Sequence, residues 1–141
     1  MQRLKTRPQF QATMAGETVA RTAHFALHRL VLGDAARASL EPGGPPLFGV
    51  PGVWLGAMTP KRWARRAVTR NAIKRQIYAV AAALEPQLPP DAHVVRLRAT
   101  FDRKQFLSAS SDALKQAVRM ELLQLFERAV LRSSSPGRAS A

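Results

Sequence analysis

Between Ala64 and Leu84 the chain has no glycine and no proline, alanine is frequent, and Ile73, Ile77, Val80 or Ala81, and Leu84 recur at spacings of three and four. That pattern predicts a long helix with one apolar stripe, which needs a surface to pack on. Segments of period two supply it. TAHFALHRLV, Thr22 to Val31, alternates, with Ala23, Phe25 and Leu27 on one side and His24, Ala26 and His28 on the other, as a half-buried strand does. Val53 to Met58 reads as a second strand and AHVVRLR, Ala92 to Arg98, as a third with Val95 and Leu97 on one side. The second strand, the long helix and the third strand form a βαβ unit, which pairs its strands in parallel. The first and second strands have no helical crossover between them and are expected to run antiparallel.

The remaining segments fit around this unit. Pro8 to Ala15 has helical spacing, Phe10 and Met14 lie four apart on one face, and Gly16 is a helix stop. Gly33 to Pro46 is a long Gly/Pro-rich surface connection, and Pro60 ends the second strand. Leu114, Val118, Leu122, Leu125 and Ala129 repeat at helical intervals in a closing amphipathic helix. From Ser133 onward anchors and periodicity are both lacking. The expectation is one domain over 1–132, the size of a single core, and a disordered tail over 133–141.

Charge narrows the class of partner. Lys and Arg number 22 against 9 Asp and Glu, leaving +13 and a pI near 11.7, far beyond what solubility needs and pointing to a polyanion. Cysteine is absent, which removes disulfides, thiolate zinc sites and cysteine nucleophiles. The opening MQRLKTRPQFQATMAG lacks a continuous apolar core, so no secretory signal is read. No apolar run approaches the ~20 residues of a membrane span. A soluble cytoplasmic protein is expected.

The positive charge is concentrated in KRWARRAVTRNAIKR, Lys61 to Arg75, which holds seven cations and no anion. On a helix Arg62, Arg66, Arg70 and Lys74 would stack on one face, with Arg65, Asn71 and Arg75 beside them. Like charges at this spacing oppose one another by a few tenths of a kcal/mol per pair. No acidic residue from Gly43 to Leu84 relieves them. An external polyanion would, and most of the seven are Arg, which forks onto phosphates. An amphipathic membrane helix fits poorly, because the opposite face is small and aliphatic.

These residues carry a likeness. KRWARRAVTRNAIKR resembles the signature of the bacterial ribonuclease P protein subunit, two basic residues, a short spacer, Ala, then Arg-Asn-x-x-Lys-Arg, with Arg65, Arg66, Ala67, Arg70, Asn71, Ile73, Lys74 and Arg75 in register. RLKTRPQFQATMAG, HFALH, WLGAMTPKR, HVVRLR and ALKQAVRMELLQLFERA resemble the family's flanking segments in order. Three positions depart: Ala72 and Tyr78 stand where the family often has arginines, and Met14 where it has a second aromatic. The contacts of those arginines do not carry over.

The resemblance implies a two-layer α/β (α+β) sandwich, an about four-stranded mixed sheet with three helices and a left-handed βαβ crossover, so one strand is still to be found, near Leu47 to Val50 or beside the second strand. It implies a protein that assists an RNA subunit which itself performs the hydrolysis in 5′ maturation of tRNA, one protein with one catalytic RNA. Lys61, Arg62, Arg65, Arg66, Arg70, Asn71, Lys74 and Arg75 would grip that RNA. Phe10, Met14 and His28 would meet the single-stranded 5′ leader of precursor tRNA in a cleft between the first helix and the sheet, where stacking suits unpaired bases. Mg²⁺ would come with the RNA, none being held by the protein alone. The residues themselves name no catalyst. His24, His28 and His93 lie in expected strands, His24 and His28 on one face, without a metal motif beside them. Asp91, Asp102 and Asp112 sit beside turns and a helix start, where cap and turn roles suit them. A structural ribosomal protein or other general RNA-binding protein is the alternative, and a stand-alone nuclease a further one.

Overall fold

A computed structural model describes residues 1–32, 48, 52–101 and 112–133. Its elements are β1 (Gln2–Arg3), α1 (Arg7–Met14), β2 (Glu17–Arg21), β3 (Phe25–Leu30), β4 (Trp54–Met58), α2 (Ala67–Leu84), a 3-10 turn (Glu85–Gln87), β5 (Ala92–Leu97) and α3 (Asp112–Ser133). The connection over 33–46 and residues 134–141 of the expected tail lie outside the described residues. So do the flanks of Phe48 in the expected extra strand.

The strands form one sheet in the order β1-β4-β5-β3-β2. β4 pairs β5 in parallel, Gly56 opposite Val94, with α2 as the crossover, as the βαβ pattern predicts. β3 and β4 do run antiparallel, yet they are not neighbours, because β5 lies between them and pairs with both. Among the described residues five strands make the sheet, against the expected about four. β1 lies parallel beside β4, and β2 forms a hairpin with β3. That hairpin turns at Thr22 to His24, with the Thr22 amide donating to the Phe25 carbonyl, so β3 begins three residues later than the alternation predicts.

Side-chain alternation gives the sheet two apolar faces. Phe25, Leu27, Leu55, Ala57, Val95 and Leu97 turn to one side, where Ile73, Ile77, Val80 and Ala81 of α2 cover them. The same layer holds Leu114, Val118, Leu122, Leu125, Phe126 and Ala129 of α3. Burying each such aliphatic side chain contributes roughly 1.5–3 kcal/mol, so this layer supplies most of the stability. Trp54, Ala92 and Val94 face the other way, with Leu4 and Phe48, against α1.

α1 is short and depends on its cap. The Thr6 hydroxyl accepts from the Gln9 amide at 3.3 Å, and the Gln9 side chain accepts from the Thr6 amide at 3.1 Å, a reciprocal capping box. Phe10 and Met14 share the sheet-facing side, as their spacing predicts. Gly56 makes room for Phe10 and Leu4: a Cβ there would stand 2.5 Å from the Phe10 ring and 2.8 Å from the Leu4 side chain.

Candidate nucleic-acid interface

The basic segment is a turn followed by a helix. Pro60 blocks β4, and its carbonyl accepts from the Trp63 and Ala64 amides, closing a tight turn. α2 begins at Ala67, with Arg66 as its N-cap and no side-chain cap bond. The expected stripe of Arg62, Arg66, Arg70 and Lys74 on one helix face is therefore corrected, since Arg62 and Arg65 precede the helix and Arg66 sits at its end. The turn fans these cations outward instead. Lys61, Arg62, Arg65, Arg66, Asn71, Lys74 and Arg75 are all exposed.

Arg70 is different. It is half-buried, and its guanidinium donates to the carbonyls of Ala64 at 3.0 Å and Arg65 at 2.8 Å. It thus braces the turn that displays its neighbours. Arg62 lies over the Trp63 ring at 5.3 Å. Among the described residues none of these cations pairs with a carboxylate.

A second basic surface lies on the α1 side of the sheet. His28, buried on β3, stands beside Thr18 of β2 and Arg96 of β5. Arg96 Nε donates to His28 Nε2 at 3.2 Å, which requires the neutral ring to carry its proton on Nδ1. That proton is directed at the Thr18 hydroxyl, 3.2 Å away. Burial, then the charges of Arg96 and Arg21, lowers the His28 pKa below 6.5. The ring is kept neutral as an acceptor that orients Arg96.

Arg96 is crowded in turn. Burial first, then the charges of Arg98, Arg62 and Arg21, lowers its pKa. Arg62 belongs to the Pro60 turn, so the two basic surfaces meet there. Phe10 and Met14 border this face as half-buried members of the smaller core, so packing fixes both whatever else they touch. Met58 is half-buried beside them.

The other histidines lie elsewhere. His24 does not share a face with His28, because the hairpin turn breaks the alternation. Its ring stacks on Phe101 at 3.9 Å, and its Nδ1 lies 2.7 Å from Glu121 Oε1 on α3. His93 is buried and donates from Nε2 to the Pro89 carbonyl at 3.2 Å, with its pKa lowered chiefly by burial. Among the described residues no three His, Cys, Asp or Glu side chains come together to hold a metal. No described helix is long and apolar enough to cross a membrane.

Comparison with known proteins decides the family. The family model Ribonuclease P matches residues 1–129. The chain belongs to the ribonuclease P protein family. It is 32% identical over 138 residues to the ribonuclease P protein component of Ralstonia pickettii, covering 98% of this chain and 86% of that protein. It is also 32% identical to the Bordetella petrii ribonuclease P protein component over 126 residues, 89% of each. The Staphylococcus aureus ribonuclease P protein has the same fold, with a TM-score of 0.64 and 18% identity over 92% of this chain and 95% of that one. The function is that of a ribonuclease P protein component in tRNA 5′ processing, and its partner is the ribonuclease P RNA. The ribosomal alternative has no support among these matches.

Within this family frame, Arg21, Arg96 and Arg98 were invisible as a cluster in the sequence. Arg21 ends β2, whereas Arg96 lies in β5 and Arg98 directly follows that strand, so two segments distant along the chain make the cluster. The one available signal was Arg96 breaking an apolar strand on the side away from Val95 and Leu97.

Proposed function

We propose that the protein holds the ribonuclease P RNA on the fan of Lys61, Arg62, Arg65, Arg66, Asn71, Lys74 and Arg75, braced by Arg70. The sheet face beside α1 receives the single-stranded 5′ leader of precursor tRNA. Arg96 and Arg21 meet its phosphates there, beside Arg98, whose guanidinium is engaged with the Thr22 and Ala23 carbonyls, and the exposed edges of Phe10 and Met14 meet its bases. His28 contributes by orienting Arg96. The observation that carries this reading is the continuity of two cationic surfaces through Arg62, their cations forming no ion pair among the described residues.

Phosphate contacts position RNA without reading its sequence. Stacking adds about 1–3 kcal/mol per base with little preference, which suits a leader of varied sequence. Holding the leader and the ribonuclease P RNA on one body makes leader binding partly intramolecular, so precursor gains over mature tRNA. In this reading, as the family resemblance implies, the chemistry of hydrolysis belongs to the RNA and the Mg²⁺ it carries. One protein per RNA suffices, and the cytoplasm is the compartment this reading implies.

The test is reconstitution with the same organism's ribonuclease P RNA. Added protein should restore 5′ maturation at low Mg²⁺ and raise the preference for precursor over mature tRNA by about tenfold, the effect of one stacked base. An unchanged preference would refute the leader assignment. Cleavage of precursor tRNA by the RNA-free protein would refute the division of labour.

A further inference from the structure

A groove runs between β1 and α2, with Arg3 on one wall and Asn71, Lys74, Arg75 and Tyr78 on the other. The sequence places Arg3 some sixty residues before the basic run, and the sheet brings it back. β1 pairs with β4 so that Arg3 stands opposite Leu55, held by amide-to-carbonyl bonds from Gln2 to Val53 and from Leu4 to Leu55, each 2.9 Å. Leu55 belongs to the face that α2 covers, so Arg3 projects toward that helix. Its guanidinium lies over the Tyr78 ring at 4.0 Å.

That stacking has a chemical consequence. A guanidinium lying on a ring engages through its flat face and keeps its N–H edge directed outward, preorganised for a planar, bidentate acceptor. Among the described residues the groove is lined by three cations, an amide and a phenol and by no carboxylate. Among the described residues no ion pair neutralises Arg3, Lys74 or Arg75. Small side chains, Ala79 and Ala82, complete the wall and leave room for a sugar beside a bound phosphate.

We infer that this groove seats one backbone phosphodiester of the ribonuclease P RNA, with Arg3 as a bidentate donor, Lys74 and Arg75 as the opposing charges and Tyr78 as the positioning residue for Arg3. Asn71 can both donate and accept, which matches the hydroxyl of the adjoining ribose. The RNA interface thus continues past α2 onto the edge strand β1. This rests on the reading that α2 faces the RNA.

The test is the affinity of the full chain for its own organism's ribonuclease P RNA across a KCl series. Arg3→Ala should weaken binding about tenfold, as expected for one charge-assisted hydrogen bond. It should also make the log–log salt slope shallower by about one, the signature of one lost phosphate contact. Tyr78→Ala should reproduce that loss, whereas Tyr78→Phe, which keeps the ring, should bind like the parent. If Arg3→Ala leaves affinity and slope unchanged while Lys74→Ala/Arg75→Ala reduces both, the groove assignment falls and the α2 reading stands. If neither variant changes them, both fall. A loss of affinity with lowered Tm and an unchanged slope would show a merely structural pairing and would overturn the assignment.

Discussion

The turn between β2 and β3 and the turn between β4 and α2 are both dense in polar and basic groups, but the first satisfies its groups internally. Glu121 on α3 accepts from the Thr22 hydroxyl at 2.6 Å and the His24 amide at 2.7 Å, and its other oxygen meets the His24 ring. Arg98 donates to the Thr22 carbonyl at 2.6 Å, and Arg128 to the Arg21 carbonyl. At the second turn only Arg70 is engaged in this way. Its cationic neighbours are exposed, and none of them forms an ion pair among the described residues. Where the protein needs a turn held, it supplies the counter-groups itself. Where it leaves like charges uncompensated, a polyanion lowers their mutual repulsion.

The contrast can be broken from either side. The largest expected effect is on RNA binding by the combined Arg65→Ala, Arg66→Ala, Lys74→Ala and Arg75→Ala variant. At about 1 kcal/mol per exposed contact, affinity for ribonuclease P RNA should fall about a thousandfold, with Tm held within a few degrees. A comparable fall in Tm would mean that these charges serve the fold.

Glu121→Ala should do the reverse. Removing one carboxylate strands the Thr22 hydroxyl and the His24 amide in a partly buried site, at a cost of about 2–4 kcal/mol, read by urea unfolding. RNA affinity should stay within twofold. A large loss of binding by a fully folded Glu121→Ala protein would erase the distinction between the two turns.

Arg96→Ala sharpens the comparison on the sheet face. It should lower affinity for precursor tRNA in the reconstituted complex about tenfold and leave mature tRNA nearly unaffected. Equal losses for both would place Arg96 against the catalytic RNA instead.

The smallest expected effect concerns pH. Burial, Arg96 and Arg21 hold His28 below 6.5, so the unfolded chain takes up this proton more readily than the folded one. The stabilisation is complete above about pH 6.5 and lost as pH falls toward the lowered folded value. His93 is shifted in the same direction by burial and adds to it. Unfolding midpoints should therefore drop between pH 7.5 and 5.5, and less steeply in His28→Gln. Parallel pH curves would contradict the orienting hydrogen bond to Arg96.

The long-range elements were legible wherever one period ran unbroken. The stripe Ile73, Ile77, Val80 and Ala81 faces the sheet as predicted, as do Leu114, Val118, Leu122, Leu125 and Ala129, because burial sets both patterns. β2 was hidden by a physical cause: the register shifts between Thr18 and Ala20, so Val19 and Ala20 both turn into the core and the alternation disappears. β1 is two residues long and exists only through pairing with β4, which no local pattern reports. α2 starts three residues late because the Pro60 carbonyl and the Arg70 guanidinium bind the groups that a longer helix would use. The basic run was visible in the sequence. The groupings of Arg3 with Tyr78, and of Arg96 with Arg21, Arg62 and Arg98, arise from topology, which orders strands in a way their sequences do not state.

The central claim is that the cations left uncompensated by the fold are compensated by RNA phosphates. It is tested most directly by titrating binding of the protein to its ribonuclease P RNA with KCl, in the parent and in the fourfold alanine variant. With roughly six phosphate contacts the parent should give a log–log slope of about −5, and the variant about −2. Identical slopes, or a parent whose affinity does not respond to salt, would contradict the account.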